Sequence, residues 1–195
     1  MNFKPLGTGV ALVTPFHKYG TIDFGSLEIL IEHIITNKVD YIVVLGTTGE
    51  AATLSRDERI ALVNFVVETV NNRVPIVMGL GGNNTQEIIN SLHTFSFDGI
   101  SAVLSVAPYY NKPNQKGLYY HYKNVAGSCP VPVILYNVPG RTSCNISAET
   151  CLRLAQESDN IIAVKEASGN LEQCMEILKN KADGFELISG DDTLT

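Results

Sequence analysis

Val133-Ile134-Leu135-Tyr136 and Ile161-Ile162-Ala163-Val164-Lys165 are short apolar runs whose starts lie 28 residues apart. Neither alternates apolar with polar residues, which is the pattern of parallel strands buried on both faces. Residues 147–157 between them have helical periodicity, so the stretch reads as strand, helix, strand. Working outward, the same kind of run recurs at 10–14, 41–45, 75–80, 102–106 and 185–188. Successive starts across all seven runs are 31, 34, 27, 31, 28 and 24 residues apart. That is the beat of repeated β–α–β units, each taking roughly 30 residues.

Amphipathic segments fill the gaps. Asp23 precedes the series Leu27, Leu30, Ile31 and Ile34. Ser55 and Glu58 have the spacing of a capping box, and behind them Ile60, Val63, Val67 and Val70 are expected on one helical face. Further helices are expected at 85–96, 115–126, 147–157 and 170–181. No linker-like or low-complexity stretch interrupts them, so the expectation is a single α/β domain over residues 1–195.

An open doubly wound sheet and a closed (β/α) barrel both accept this rhythm. The first strand is followed by Pro15-Phe16-His17-Lys18 rather than a glycine fingerprint, and Gly79-Leu80-Gly81-Gly82 lacks the Lys-Ser/Thr of a phosphate loop. Every strand instead ends in polar or glycine-rich residues suited to converge at one mouth, where a barrel builds its site. The barrel is the expected fold.

Composition excludes several function classes. Among 195 residues, 14 Lys and Arg stand against 20 Asp and Glu, a formal charge of −6, and no basic cluster is present to hold nucleic acid. Hydrophobic residues make up 45% and charged ones 17%, a core-forming balance. No apolar stretch approaches the roughly 20 residues of a membrane span, and Met1-Asn2-Phe3-Lys4-Pro5 does not read as a signal peptide. Cys129, Cys144, Cys151 and Cys174 form no C-x-x-C pair, which favours free thiols and a cytoplasmic protein. His17, His33, His93 and His121 are equally scattered.

Lys165 carries the most chemistry. Burial at the end of an apolar strand penalises its ammonium and frees the neutral amine as a nucleophile toward carbonyls, although a strand-end lysine is also able to reach solvent. Glu166 points the opposite way in an extended strand. Tyr136 ends the preceding strand, either as a proton shuttle or as a core aromatic. Arg141 offers a planar fork for a carboxylate, or is a surface arginine. Gly46-Thr47-Thr48-Gly49-Glu50 suits a carboxylate cradle as well as a simple bend. Ser189-Gly190-Asp191-Asp192 reads as a turn with a helix cap or as a metal corner. A metal-dependent aldolase would use Glu50, Asp191 and Asp192. Pro108-Tyr109-Tyr110-Asn111-Lys112-Pro113 reads as a stiff aromatic loop at an interface or over a site.

Taken together, Gly46-Thr47-Thr48-Gly49-Glu50, Pro108-Tyr109-Tyr110-Asn111, Tyr136-Asn137-Val138-Pro139-Gly140-Arg141-Thr142 and Val164-Lys165-Glu166-Ala167-Ser168-Gly169 resemble the dihydrodipicolinate synthase family of Schiff-base (class I) aldolases. The likeness runs from Gly9 to Asp192. It implies a (β/α)8 TIM barrel and a lyase of diaminopimelate and lysine biosynthesis that condenses pyruvate with L-aspartate-4-semialdehyde to 4-hydroxy-tetrahydrodipicolinate. The same superfamily holds other pyruvate-dependent aldolases. By the resemblance Lys165 forms the imine, Tyr136 shuttles the proton, and Thr47 and a neighbouring subunit's Tyr110 relay it. Thr48 and Arg141 hold substrate carboxylates, and Gly190 supplies a backbone group. No metal or organic cofactor is implied, and the assembly is a homotetramer, a dimer of dimers. Asn83, Glu87 and Tyr109 match a lysine-effector site, from whose pattern Ala51, Arg56 and Arg59 depart.

A complete eight-stranded barrel takes about 250 residues. Seven strands are read here, so the expectation is a barrel cut short after strand seven, without the C-terminal helical extension, and a non-catalytic fragment is an open alternative.

Overall fold

The described residues form seven strands joined by helices: β1 (Gly9–Ala11), α1 (Phe24–Thr36), β2 (Tyr41–Val44), α2 (Arg56–Val70), β3 (Ile76–Gly79), α3 (Thr85–Leu92), β4 (Ile100–Val106), α4 (Gln115–Ser128), β5 (Val133–Asn137), the short α5 (Pro139–Thr142), α6 (Ala148–Glu157), β6 (Ile161–Glu166), α7 (Leu171–Asn180) and β7 (Glu186–Ser189). The computed structural model describes residues 3–194; Met1, Asn2 and Thr195, part of the terminal segments read above, lie outside the described residues. The strands follow one another in the sheet in chain order, β1 through β7. A doubly wound sheet reverses its order at a switch point. This order never reverses, so the progression is that of a (β/α) barrel, realised here through seven strands.

The chain divides into two compact units, one of Leu6–Gly79 with Phe97–Ala102 and one comprising the rest. In the first, β2 is buried along its whole length and pairs in parallel with β1 and β3. Asp23 caps α1 by accepting from the Ser26 N–H, and Ser55 and Glu58 form the expected capping box on α2. The Arg73 guanidinium, just beyond α2, grips the Glu32 carboxylate of α1 with both terminal nitrogens. Two expectations shift. β1 is shorter than residues 10–14: the Leu12 N–H still donates to Val43 O at 2.9 Å, after which the chain leaves the ladder and the Thr14 hydroxyl donates to Gly49 O at 2.7 Å. The buried face of α2 is Leu62, Val63, Val66 and Val70, with Ile60 and Val67 only half-buried. Apolar residues surround this helix on nearly every side, so periodicity alone does not single out the inner face.

In the second unit β5 pairs in parallel with β4 on one side and β6 on the other, and β6 with β7. Asn84, Asn114, Ser147 and Asn170 cap α3, α4, α6 and α7 through their side chains. Helix α3 ends at Leu92 rather than residue 96, because the His93 and Thr94 N–H groups turn to the acceptors three residues back, Asn90 O and Ser91 O. The Tyr122 ring is fully buried and its hydroxyl donates to Ser105 O of β4. Leu118, Val125, Cys151, Leu154 and Ile177 close the core between helices and strands. The four cysteines are free thiols, and burial raises the Cys151 thiol to about 12, with the nearby Glu166 charge acting in the same direction. Among the described residues no helix is long and apolar enough to cross a membrane.

Candidate active site

Parallel register places Tyr136 of β5 directly beside Lys165 of β6. The two side chains project from the same face of neighbouring strands, and Lys165 Nζ lies 4.8 Å from the centroid of the Tyr136 ring. Tyr136 is buried and Lys165 half-buried. Among the described residues Lys165 Nζ makes no hydrogen bond or ion pair; it rests against an aromatic face. Burial therefore pushes the amine below the ordinary lysine range, and the more distant Asp192 charge opposes that shift. An amine poorly solvated in its ammonium form is a nucleophile toward a ketone.

Gly190, on the turn after β7, sits against the stem of this lysine. A Cβ at position 190 would lie 2.9 Å from Lys165 Cε and 2.8 Å from Ala167 Cβ, closer than carbon atoms tolerate. The Gly190 N–H donates to Glu166 O at 2.8 Å, which ties the turn to β6. The glycine is needed here for space: the lysine lies in the volume that a side chain would fill.

The next residue on each strand faces the other way. Asn137 is 0% and Glu166 4% exposed, and they too are register partners. Asn137 Nδ2 donates to both Glu166 oxygens at 3.0 Å and to Asn145 Oδ1 at 2.7 Å. Gln173 Nε2 of α7 donates to Glu166 Oε2 at 2.7 Å, and the Ser168 N–H to Oε1 at 2.9 Å. Asn137 Oδ1 in turn accepts from the Ile146 N–H at 2.9 Å, and Asn145 Nδ2 donates to Gln173 Oε1 at 2.9 Å. A buried carboxylate on β6 is thus hydrogen-bonded by neutral donors from the neighbouring strand β5, a loop and a helix. The sequence reading places Glu166 on this face but misses Asn137, Asn145 and Gln173. The available signal is a polar residue directly after each reactive one, at the opposite strand parity: Asn137 after Tyr136 and Glu166 after Lys165.

The remaining expected residues divide between the units. Thr47 and Thr48 are exposed in a 3₁₀ turn, Thr47–Gly49, of the first unit. That turn starts after Leu45, which has a left-handed backbone (φ 57°). Gly79 makes the turn possible, since a Cβ there would meet Leu45 O at 2.2 Å. In the second unit Arg141 is exposed on α5, directly beyond the β5 strand end.

The model of the dihydrodipicolinate synthetase family matches residues 4–195. The chain belongs to this family. It is 52% identical over 195 residues to the 4-hydroxy-tetrahydrodipicolinate synthase of Parabacteroides distasonis, covering 100% of this chain and 65% of that protein. The dihydrodipicolinate synthase structure from Aquifex aeolicus superposes with a TM-score of 0.92 at 42% identity, over 97% of this chain and 64% of that one. The chloride-inhibited Acinetobacter baumannii dihydrodipicolinate synthase, solved in complex with pyruvate, superposes with a TM-score of 0.91 at 43% identity, over 95% and 64% of the two chains. The chain therefore spans just under two thirds of the length of these relatives, and its seven-stranded fold is that part of their TIM barrel.

In this synthetase-family chain the aromatic loop after β4 is exposed, with Tyr110 at 88% and a left-handed backbone (φ 69°). Tyr109 lies beside it, and Asn111 Nδ2 donates to Asn83 O at 2.9 Å, which draws Asn83 to this loop. Glu87 is exposed in the first turn of α3. The Ser189–Asp192 corner resolves as a turn: Asp191 Oδ1 accepts from the Thr193 N–H and hydroxyl at 3.2 and 2.9 Å. Among the described residues no group of three or more His, Cys, Asp or Glu side chains is placed to hold a metal ion.

Proposed function

We propose that the chain condenses pyruvate with L-aspartate-4-semialdehyde through an imine on Lys165, giving 4-hydroxy-tetrahydrodipicolinate. The observation that carries this reading is the Lys165 amine, partly desolvated and set 4.8 Å from the Tyr136 ring centre in a family of synthases. The Lys165 nitrogen attacks the ketone carbon, and water leaves as the imine forms. Loss of a methyl proton, carried by Tyr136, gives an enamine whose carbon adds to the aldehyde. The semialdehyde's own amino group then displaces Lys165 as the ring closes, returning the free amine. Thr47 and the Tyr110 of a neighbouring copy extend the proton path, Thr48 and Arg141 hold the two carboxylates, and Gly190 offers its backbone to the aldehyde partner. This scheme requires at least a dimer, and a homotetramer is the assembly we propose. Asn83, Glu87 and Tyr109 are the proposed contacts of a lysine effector.

Incubation with pyruvate and borohydride is the test. The expected result is a pyruvate-derived mass on Lys165, and a folded chain without it overturns the reading. Chelator is expected to leave the adduct intact. An adduct without consumption of the semialdehyde would instead identify another pyruvate-dependent aldolase of the same type.

A further inference from the structure

Glu166 is a buried charged group that the proposed chemistry does not use. We propose that it is a positioning residue: its carboxylate, through Asn137 and Gln173, locks β5 and β6 in the register that sets Tyr136 and Lys165 face to face. The inference rests on the imine reading above and adds to it what holds the pair.

Side chains along a strand alternate between faces, so a slip of one residue exchanges the two faces completely. Here such a slip would turn Lys165 outward and Glu166 inward. The ladder does not prevent this by itself, because the β5–β6 register already shifts between Val133 and Ile134 at the start of the pairing. The far end is where the polar cluster sits. Asn137 and Glu166 are partners across the ladder at the position immediately after Tyr136 and Lys165. The Asn137 amide bridges both oxygens of the carboxylate, and Gln173 binds it from α7. A buried carboxylate is strongly unfavourable without such donors, so only the observed register satisfies it. The β6 backbone carries the constraint onward: the Ala167 N–H donates to Asn137 O at 2.8 Å, and Gly190, packed on the lysine stem, donates to Glu166 O at 2.8 Å. The other titratable groups near the carboxylate are the thiols of Cys151 on α6 and Cys174 on α7, both pushed up chiefly by burial and then by its charge. Neither supplies a positive partner, so the hold is made by directed hydrogen bonds.

The test is a set of variants in the full chain, read by the rate of borohydride-trapped imine formation per folded molecule. Glu166→Gln turns an amide toward donors, and Gln173→Glu sets two carboxylates together. Each single change is expected to slow trapping at saturating pyruvate by about tenfold or more, with the half-saturating pyruvate concentration moved by less than about threefold. The double exchange, Glu166→Gln with Gln173→Glu, again pairs one carboxylate with one amide and is expected to recover most of the rate. A purely structural role would lower the melting temperature but leave the rate per folded molecule unchanged. Asn145→Ala, at the exposed rim of the cluster, covers the case in which the single variants do not fold; it is expected to slow trapping about threefold. Folded variants, Asn145→Ala included, that trap within twofold of the unaltered chain overturn the positioning role alone. An unaltered chain that traps no pyruvate overturns the imine reading and this inference with it.

Discussion

The two faces of the β5–β6 ladder carry opposite charges and treat them in opposite ways. On one face Lys165 is half-buried against the Tyr136 ring with no hydrogen bond to its amine among the described residues. On the other, one residue along, Glu166 is more deeply buried and accepts from Asn137, Gln173 and the Ser168 backbone. Glu166 has left bulk water and Lys165 has left it in part, but only the carboxylate has been given hydrogen-bond replacements for it. The partly desolvated amine is held in a state ready to react, whereas the satisfied carboxylate fixes geometry. Burial alone does not distinguish a reactive ionisable group from a structural one; the inventory of its donors and acceptors does.

Replacing the groups on the two faces breaks this contrast most directly. Lys165→Met is expected to abolish the borohydride-trapped adduct completely. Since it also removes a poorly solvated ammonium, the variant should melt no lower than the unaltered chain at neutral pH. A marked drop in melting temperature would mean that the amine is held by contacts after all. Tyr136→Phe keeps the ring beneath Nζ and removes only the hydroxyl. Proton transfer by a placed side chain contributes about 10²–10⁴ in rate, and the slowing of turnover is expected in that range while pyruvate is still trapped. Turnover within tenfold of the unaltered chain would show that the ring, not the hydroxyl, is what Lys165 needs.

On the other face, stability is the sharper readout. Glu166→Gln loses a charge-assisted bond and turns an amide N–H toward a donor, for about 1.5–3 kcal/mol. In a domain of this size each kcal/mol moves the midpoint by about 2–4 °C. The contrast predicts opposite signs at adjacent positions: stability lost at 166 and not at 165. Gly190→Ala probes the join between the faces. Its Cβ would press on Lys165 Cε from 2.9 Å. Overpacking of this kind costs about 1–3 kcal/mol, and displacement of the lysine stem should slow imine trapping measurably at an unchanged pH optimum.

Much of the framework is legible because most strands are near-continuous apolar runs and each long helix opens on an Asp, Ser or Asn that caps it. Lys165 and Tyr136 stand out for a related reason, as polar residues that close apolar runs, one residue before each strand ends. The network behind them was less visible. Asn137, Asn145 and Gln173 are ordinary amides in a strand, a loop and a helix; only the fold brings Asn137 and Gln173 to one carboxylate and Asn145 to the two of them. The inner face of α2 keeps the expected Val63 and Val70 but takes Leu62 and Val66 in place of Ile60 and Val67, because apolar residues run nearly all round the helix and packing rather than period makes the choice.

The finest distinction between the two faces is in how stability depends on pH. Burial lowers the native pKa of Lys165 below the ordinary 10.5. Between that lowered value and 10.5 the unfolded chain binds a proton at this site that the native chain does not, so stability rises with pH across the window. Below the window both states are protonated, and the full cost of the buried ammonium is present. Subtracting the pH–stability curve of Lys165→Met from that of the unaltered chain isolates this slope, because every other titrating group is common to both. A difference curve that climbs toward alkaline pH fits an amine held without solvating partners. A flat curve would mean that Lys165 reaches water in the folded chain, and the contrast between the two faces would then be one of reach rather than of solvation.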